Sequence, residues 1–381
     1  MPLNARTLYT IFSITLMGVI GVNIISPALP GIRDAFGITN TEVVMLISAF
    51  TLPGIFFAPI MGILADRLGR RAVLVPCLFL FGIAGVGCAF SDFRMMLFLR
   101  FLQGIGGSAL VALSSTLIGD IYEGYERAKA LGYNASVLSL GIVSFLPFGG
   151  LLAHYDWRLP FLAFSVAIPV AIAVAFLPSE IRSEEPIRMY FSNTIFVLRN
   201  RTLLLQFLSA VIVFIILYGA FLGYFPILLK DRYNTDPFII SLFLASMNGF
   251  AAFFSSQLEY FARRMGSIKT IQIGFLCYAL SMLFMPFLPL SLLIASTFIL
   301  GLGHGIVMPT LQSLILSKAP PEYRAIVMST FGLVMKTGQT AGPVIASIVY
   351  LYSFNAVFLV MAGIAGLFSL LYSSGCRIRF S

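Results

Sequence analysis

The sequence has little charge. Only 10% of its 381 residues are Asp, Glu, Lys or Arg, where soluble globular domains carry about a quarter, because a water-facing surface needs polar cover. An ordinary soluble fold is excluded. There are two histidines, His154 and His304, and neither HExxH, GxSxG nor any cluster with metal-ligand spacing occurs. Hydrolase centres and multi-histidine metal sites fall away with them, so no catalytic residue, cofactor or metal is expected and a membrane enzyme is set aside. The four cysteines, Cys77, Cys88, Cys277 and Cys376, form no CxxC pair and read as free, small apolar side chains.

What the chain has in abundance is apolar. Hydrophobic residues make up 59%, with 37 Phe and 33 Gly and a mean hydropathy of +0.98. Lipid is the solvent such a composition suits, and glycine is commoner in membrane helices than in soluble ones. At about 20 apolar residues per span, the length holds twelve helices. The runs predict spans at roughly 8–30, 42–63, 72–91, 95–119, 130–152, 159–178, 203–226, 238–260, 268–288, 290–316, 323–350 and 356–375. The first run exceeds a signal-peptide core and lacks a small-x-small cleavage site, so it is expected to remain as the first span. The expected fold is an all-α integral membrane protein. A bundle over 1–178 and a second over 202–381 would be joined by a polar linker at 179–201.

Charge placement sets the topology. Of the 24 Lys and Arg, seventeen fall on the side of the two termini, five on the other, and Arg100 and Lys336 lie inside spans. Both termini are therefore expected in the cytoplasm, and a bacterial inner membrane is the expected location. The net charge of +9 reports this bias, so no nucleic-acid partner is expected.

The chain repeats itself. Shifted by 197 residues, the segment Leu29–Gly150 falls on the second half without a gap. Arg33-Asp34 lands on Lys230-Asp231, Arg67 and Gly69 on Arg264 and Gly266, Gly104 and Gly106 on Gly301 and Gly303, and Gly141 on Gly338. Apolar composition alone does not align charged loop residues. A parallel duplication of six-helix units points to a carrier whose two bundles rock about a substrate path. A sensor or scaffold has no need of matched halves.

Three motifs lie on this frame. The loop after the second span reads Gly62-Ile63-Leu64-Ala65-Asp66-Arg67-Leu68-Gly69-Arg70-Arg71, where Gly62 permits close helix contact and Gly69 a tight turn. The fourth span carries Arg100, Gln103, Gly104 and Gly107 on one helical face. An ionised side chain inside the bilayer costs at least ~2.5–3.5 kcal/mol and faces a cavity or a partner. Five residues into its span, Arg100 could also reach the outer interface with its long stem. The glycines suit helix packing. The fifth span holds Gly141, Pro147, Gly149 and Gly150, and the eleventh holds Gly342-Pro343.

The loop resembles the signature of the major facilitator superfamily, most like its twelve-helix drug:proton antiporters, and the resemblance covers the whole chain. It implies two pseudo-symmetric bundles working by alternating access. By that resemblance Asp66 faces the start of the eleventh span near Pro320-Pro321-Glu322, and Arg70 meets Asp120, as a latch for the outward-facing state. The second half lacks a copy, since Asp66 falls on Arg263 and Asp120 on Ser317. The Arg100 motif is similar to the antiporters' helix-4 motif. The helix-5 motif, G-x-x-x-G-P-x-x-G-G, is met only at its outer glycines, because Phe145-Leu146 stand in place of the inner Gly-Pro.

Polar groups inside spans complete the candidates. Lys336 lies midway along the eleventh span with Gln339 on its face, His304 is within the tenth, and Asn23, Tyr218 and Asn248 lie in the first, seventh and eighth. None of the fifteen acids falls mid-span, so the path is expected to be cationic and to favour an anionic or zwitterionic amphiphile. Arg100, His304 and Lys336 are candidates for proton coupling. The expected function is proton-coupled efflux of small amphiphiles by a monomer in lipid. The alternative is a symporter or facilitator for an organic anion or zwitterionic metabolite.

Overall fold

The computed structural model describes residues 5–177, 201–319 and 324–373. Among these there is no strand. Twelve helical segments follow in order: α1 Ala5–Phe36, α2 Asn40–Leu68, α3 Arg70–Phe90, α4 Phe93–Ile121, α5 Gly124–Tyr155 and α6 Leu159–Ala175. The series continues with α7 Leu203–Tyr233, α8 Pro237–Ser256, α9 Leu258–Phe284, α10 Leu290–Lys318, α11 Arg324–Tyr350 and α12 Phe354–Ser373. Ten are long and apolar enough to cross a membrane, and α6 is a shorter apolar helix. The expected spans and these helices agree to within a turn or two at most ends, because apolar length is read directly from the chain. The expected linker at 179–201 lies, but for its last residue, outside the described residues, as does Cys376.

Local chemistry sets several helix ends. Thr39 and Glu42 form a capping box on α2: the Glu42 amide donates to Thr39 Oγ1 at 3.3 Å and the Thr39 amide to Glu42 Oε2 at 2.8 Å. Asp92 caps α4 by accepting from the Met95 amide at 2.8 Å. Side chains such as Phe56, Ile83, Leu140 and Leu370, each more than 60% exposed, form an apolar exterior suited to lipid.

The chain groups into two compact units, Met1–Glu185 with Asp236–Ser241, and Pro186–Thr235 with Leu242–Ser381. The 197-residue repeat is visible inside each unit as backbone geometry. Gly69 has φ 97° and its counterpart Gly266 has φ 76°, a region closed to side chains with a Cβ. A Cβ built on Gly104 would run into the Phe50 carbonyl oxygen, and one on Gly301 would lie 2.6 Å from that of Met247. Gly106 stands against the Cys77 carbonyl at 2.5 Å from a built Cβ, and Gly303 against that of Gly274 at 2.8 Å. Both acceptor pairs are themselves 197 apart. The same backbone atom therefore fills the same notch in each unit, α4 on α2 and α3, and α10 on α8 and α9. By contrast a Cβ on Gly62 meets nothing within 4 Å, so the close contact expected of it does not occur among the described residues.

These notches give a direct prediction. Gly104→Ala drives a methyl into a backbone carbonyl and is expected to lower the thermal midpoint of the detergent-solubilised protein by several degrees. Gly119→Ala has open space beside it and is expected to leave the midpoint unchanged or raised, because it removes helical glycine. Equal midpoints for the two variants would contradict the packing account.

Candidate functional site

At one end of the first unit Arg70 joins two acids. Its side chain is 11% exposed, ion-paired to Asp66 four residues earlier, and its Nε is 3.1 Å from Asp120 Oδ2. The start of α3 places the guanidinium under the last turns of α2 and α4, and Gly69 gives the turn that permits this. Arg67 is exposed and stands outside the pair of bonds. Two neighbouring arginines cap helix ends. Arg71 Nη1 donates to the Leu177 carbonyl at 3.0 Å, and Arg127 donates to the carbonyls of Tyr122 at 2.9 Å and Gly119 at 2.6 Å. In the second unit, among the described residues, the ion pair at the equivalent turn is an exposed Arg263–Glu259 pair, beside an Arg264–Tyr260 hydrogen bond. The start of α11 near Pro320 lies outside the described residues.

Arg100 sits wholly inside the first unit. It is 0% exposed, so its side chain does not run to the outer interface. Nε donates to the Leu46 carbonyl at 3.3 Å, Nη1 to Gln103 Oε1 at 2.7 Å and Nη2 to the Gly21 carbonyl at 3.0 Å. The guanidinium carbon lies 4.5 Å from the centroid of the Phe50 ring, a cation–π contact. All these partners are neutral. One arginine thus ties α4 to α1 and α2 through backbone oxygens, and Gln103, also 0% exposed, orients it.

The remaining sequence candidates fall in separate places. Asn23 Nδ2 donates to the Val19 carbonyl at 2.7 Å and Asn248 Nδ2 to that of Leu244 at 3.2 Å, both within their own helices. Tyr218 lies in a π-helical stretch, Ile216–Tyr224, an irregularity frequent at functional sites. Gly219 there packs on the Gly342 carbonyl, 2.6 Å from a built Cβ. Gly107 meets the Phe50 and Phe81 rings, Gly141 meets Leu16, Gly149 the Ile24 carbonyl and Gly150 Ser241. Pro147 and Pro343 lie within continuous helices. His304 Nδ1 is 2.7 Å from Tyr278 Oη, joining α10 to α9. Lys336 and Gln339 share a face of α11. Among the described residues neither side chain makes a hydrogen bond or ion pair, and no metal-binding group of His, Cys, Asp and Glu occurs.

A buried network in the first unit carries no sequence signature. The Thr15 hydroxyl lies 2.6 Å from Asn134 Oδ1 and 2.8 Å from Ser114 Oγ, linking α1, α4 and α5. Thr15 is 0% and Asn134 3% exposed, and nothing in the composition of their helices pairs them.

The contrast between the two cations is testable. Arg100→Gln removes charge-assisted bonds worth about 1.5–3 kcal/mol each and strands buried carbonyls, so the melting temperature without substrate is expected to fall by several degrees. Lys336→Met removes no bond and is expected to hold or raise it. Scanning fluorimetry on both variants decides, and a larger loss for Lys336→Met would contradict the assignment.

The chain matches the family model described as Major Facilitator Superfamily over residues 11–336 and 260–374. It is 30% identical to the bacillibactin exporter of Bacillus subtilis over 164 residues, 41% of each chain. It is 26% identical to the quinolone resistance protein NorA of Staphylococcus aureus over 68% of this chain and 69% of that one. A crystal structure of the nucleoside transporter NupG, in a point-mutant form, superposes with a TM-score of 0.81 over 97% of this chain and 99% of that one. At 13% identity that likeness concerns the fold alone. The duplicated six-helix frame, its signature loop and these matches together place the chain in the Major Facilitator Superfamily, as a multi-pass membrane transporter of small molecules.

Proposed function

We propose that this transporter is a proton-coupled exporter of small amphiphilic compounds, working as a monomer by rocker-switch alternating access in a bacterial inner membrane with both termini cytoplasmic. The Asp66–Arg70–Asp120 cluster carries this reading. It is a half-buried ionic knot that joins the ends of α2, α3 and α4 and has no counterpart among the described residues of the second unit. A device present in one repeat only is suited to stabilise one state of a two-state cycle. Its role is a latch that holds the outward-facing state and releases on return. The efflux direction and substrate type rest on relatives named for siderophore export and quinolone resistance. Proton carriage falls to His304 with Tyr278, or to Lys336, since no mid-helix acid exists among the described residues.

A symporter or facilitator is the second reading. It is favoured by Phe145-Leu146 at the place where antiporters carry Gly-Pro.

Flux in proteoliposomes separates the two. With an acidic lumen, norfloxacin is expected to accumulate inside in exchange for protons, and nigericin is expected to abolish the accumulation. Arg70→Gln is expected to cut the initial rate about tenfold or more, about 1.4 kcal/mol of barrier, with the protein still folded. Norfloxacin flux that ignores the gradient would sink the antiport reading. Full activity of Arg70→Gln would sink the latch.

A further inference from the structure

We propose that Lys336 and Gln339 form an anion-recognition site on α11 that takes the carboxylate of an amphiphilic substrate, an inference resting on the exporter reading above. The two side chains lie three residues apart on one helical face. Lys336 is half-buried midway along the helix. Gln339 is 9% exposed. Among the described residues neither side chain has a hydrogen-bond or ion-pair partner. Thr340, beside them, donates to the Lys336 backbone carbonyl at 2.9 Å. One turn earlier on the helix, a Cβ on Gly332 would meet nothing within 4 Å, so the helix surface there is open.

The repeat supplies an internal control. The positions 197 residues before Lys336 and Gln339 are Ser139 and Ile142. Ser139 is exposed and bonds only to its own helix, at the Ala135 carbonyl. The same helical frame therefore folds with neither a cation nor an amide at these places, and packing does not demand them. Arg100 differs. Its equivalent, Thr297, keeps an inter-helix bond, to Ser246 Oγ at 2.9 Å, so that position holds helices together in both units and Arg100 is consumed in doing so. Lys336 is left as the mid-helix cation that no described protein group neutralises.

An ammonium with an adjacent amide donor suits a carboxylate, with Nζ supplying the charge and Gln339 Nε2 a second donor. A lipophilic cation would meet repulsion at the same place. The site is thus selective for anionic or zwitterionic amphiphiles whose acid group is borne on an apolar body.

The test uses a matched pair, norfloxacin and its methyl ester, which differ only in the carboxylate. Binding to the full chain in nanodiscs is followed by the intrinsic fluorescence of the probes. Wild type is expected to bind the acid about tenfold tighter than the ester. Lys336→Met is expected to bring that ratio to about one, Lys336→Arg to keep the preference, and Gln339→Leu to weaken the acid alone. Melting temperatures no lower than wild type guard against misfolding, and Lys336→Gln serves if the Met variant fails to fold. A wild-type ratio near one, absence of acid binding, or a preference that survives Lys336→Met would each overturn the proposal. Gradient-driven flux of acid and ester alike would leave the exporter reading standing and remove this inference. Lysine-dependent acid preference without gradient-driven flux would do the reverse.

Discussion

Every acid in the described residues lies within about one turn of a helix end or outside the helices. A cation in the apolar interior must therefore be neutralised by something other than a carboxylate, or be left for a ligand. Arg100 takes the first course, with three of its donors on two backbone carbonyls and one amide oxygen. The carbonyls of Gly21 and Leu46 belong to different helices, so satisfying one charge fixes the register of α1, α2 and α4. Lys336 takes the second course. The ion cluster at Arg70 obeys the same rule from the other side, since its two acids sit where helices end and water can reach them.

The duplication lets each feature be judged against its twin. Gly104 with Gly301, and Gly106 with Gly303, meet the same carbonyls of the repeat, so these are demands of the fold. Asp66, Asp120, Arg100 and Lys336 have no charged acid or base of like sign at their counterparts Arg263, Ser317, Thr297 and Ser139. The charges at those positions are therefore not demands of the repeat. Three are committed to bonds within the first unit, and Lys336 alone remains without one.

The spans and the repeat were legible because both are one-dimensional: apolar length fixes a helix, and a constant offset needs no contacts to be seen. Arg70 and Asp120 could be paired only through the resemblance, fifty residues apart in sequence. What could not be read was the partner of Arg100, because backbone carbonyls carry no residue signature. The sequence offered a cavity, a partner or the outer interface, and the structure gives Arg100 partners, two backbone carbonyls and one amide oxygen. The Thr15–Ser114–Asn134 network was invisible for a related reason: short polar side chains across 119 residues look like any others in a helix. Gly62 is the opposite case, a motif glycine whose expected neighbour is absent among the described residues.

The central claim is that Lys336 is chemically free until a substrate acid occupies it. Mass-spectrometric footprinting with a membrane-permeant amine reagent tests this at the residue itself. The account predicts that Lys336 is labelled in the substrate-free transporter and protected by a carboxylate ligand but not by its ester. Absence of labelling without ligand, or equal labelling with and without the acid, would contradict it.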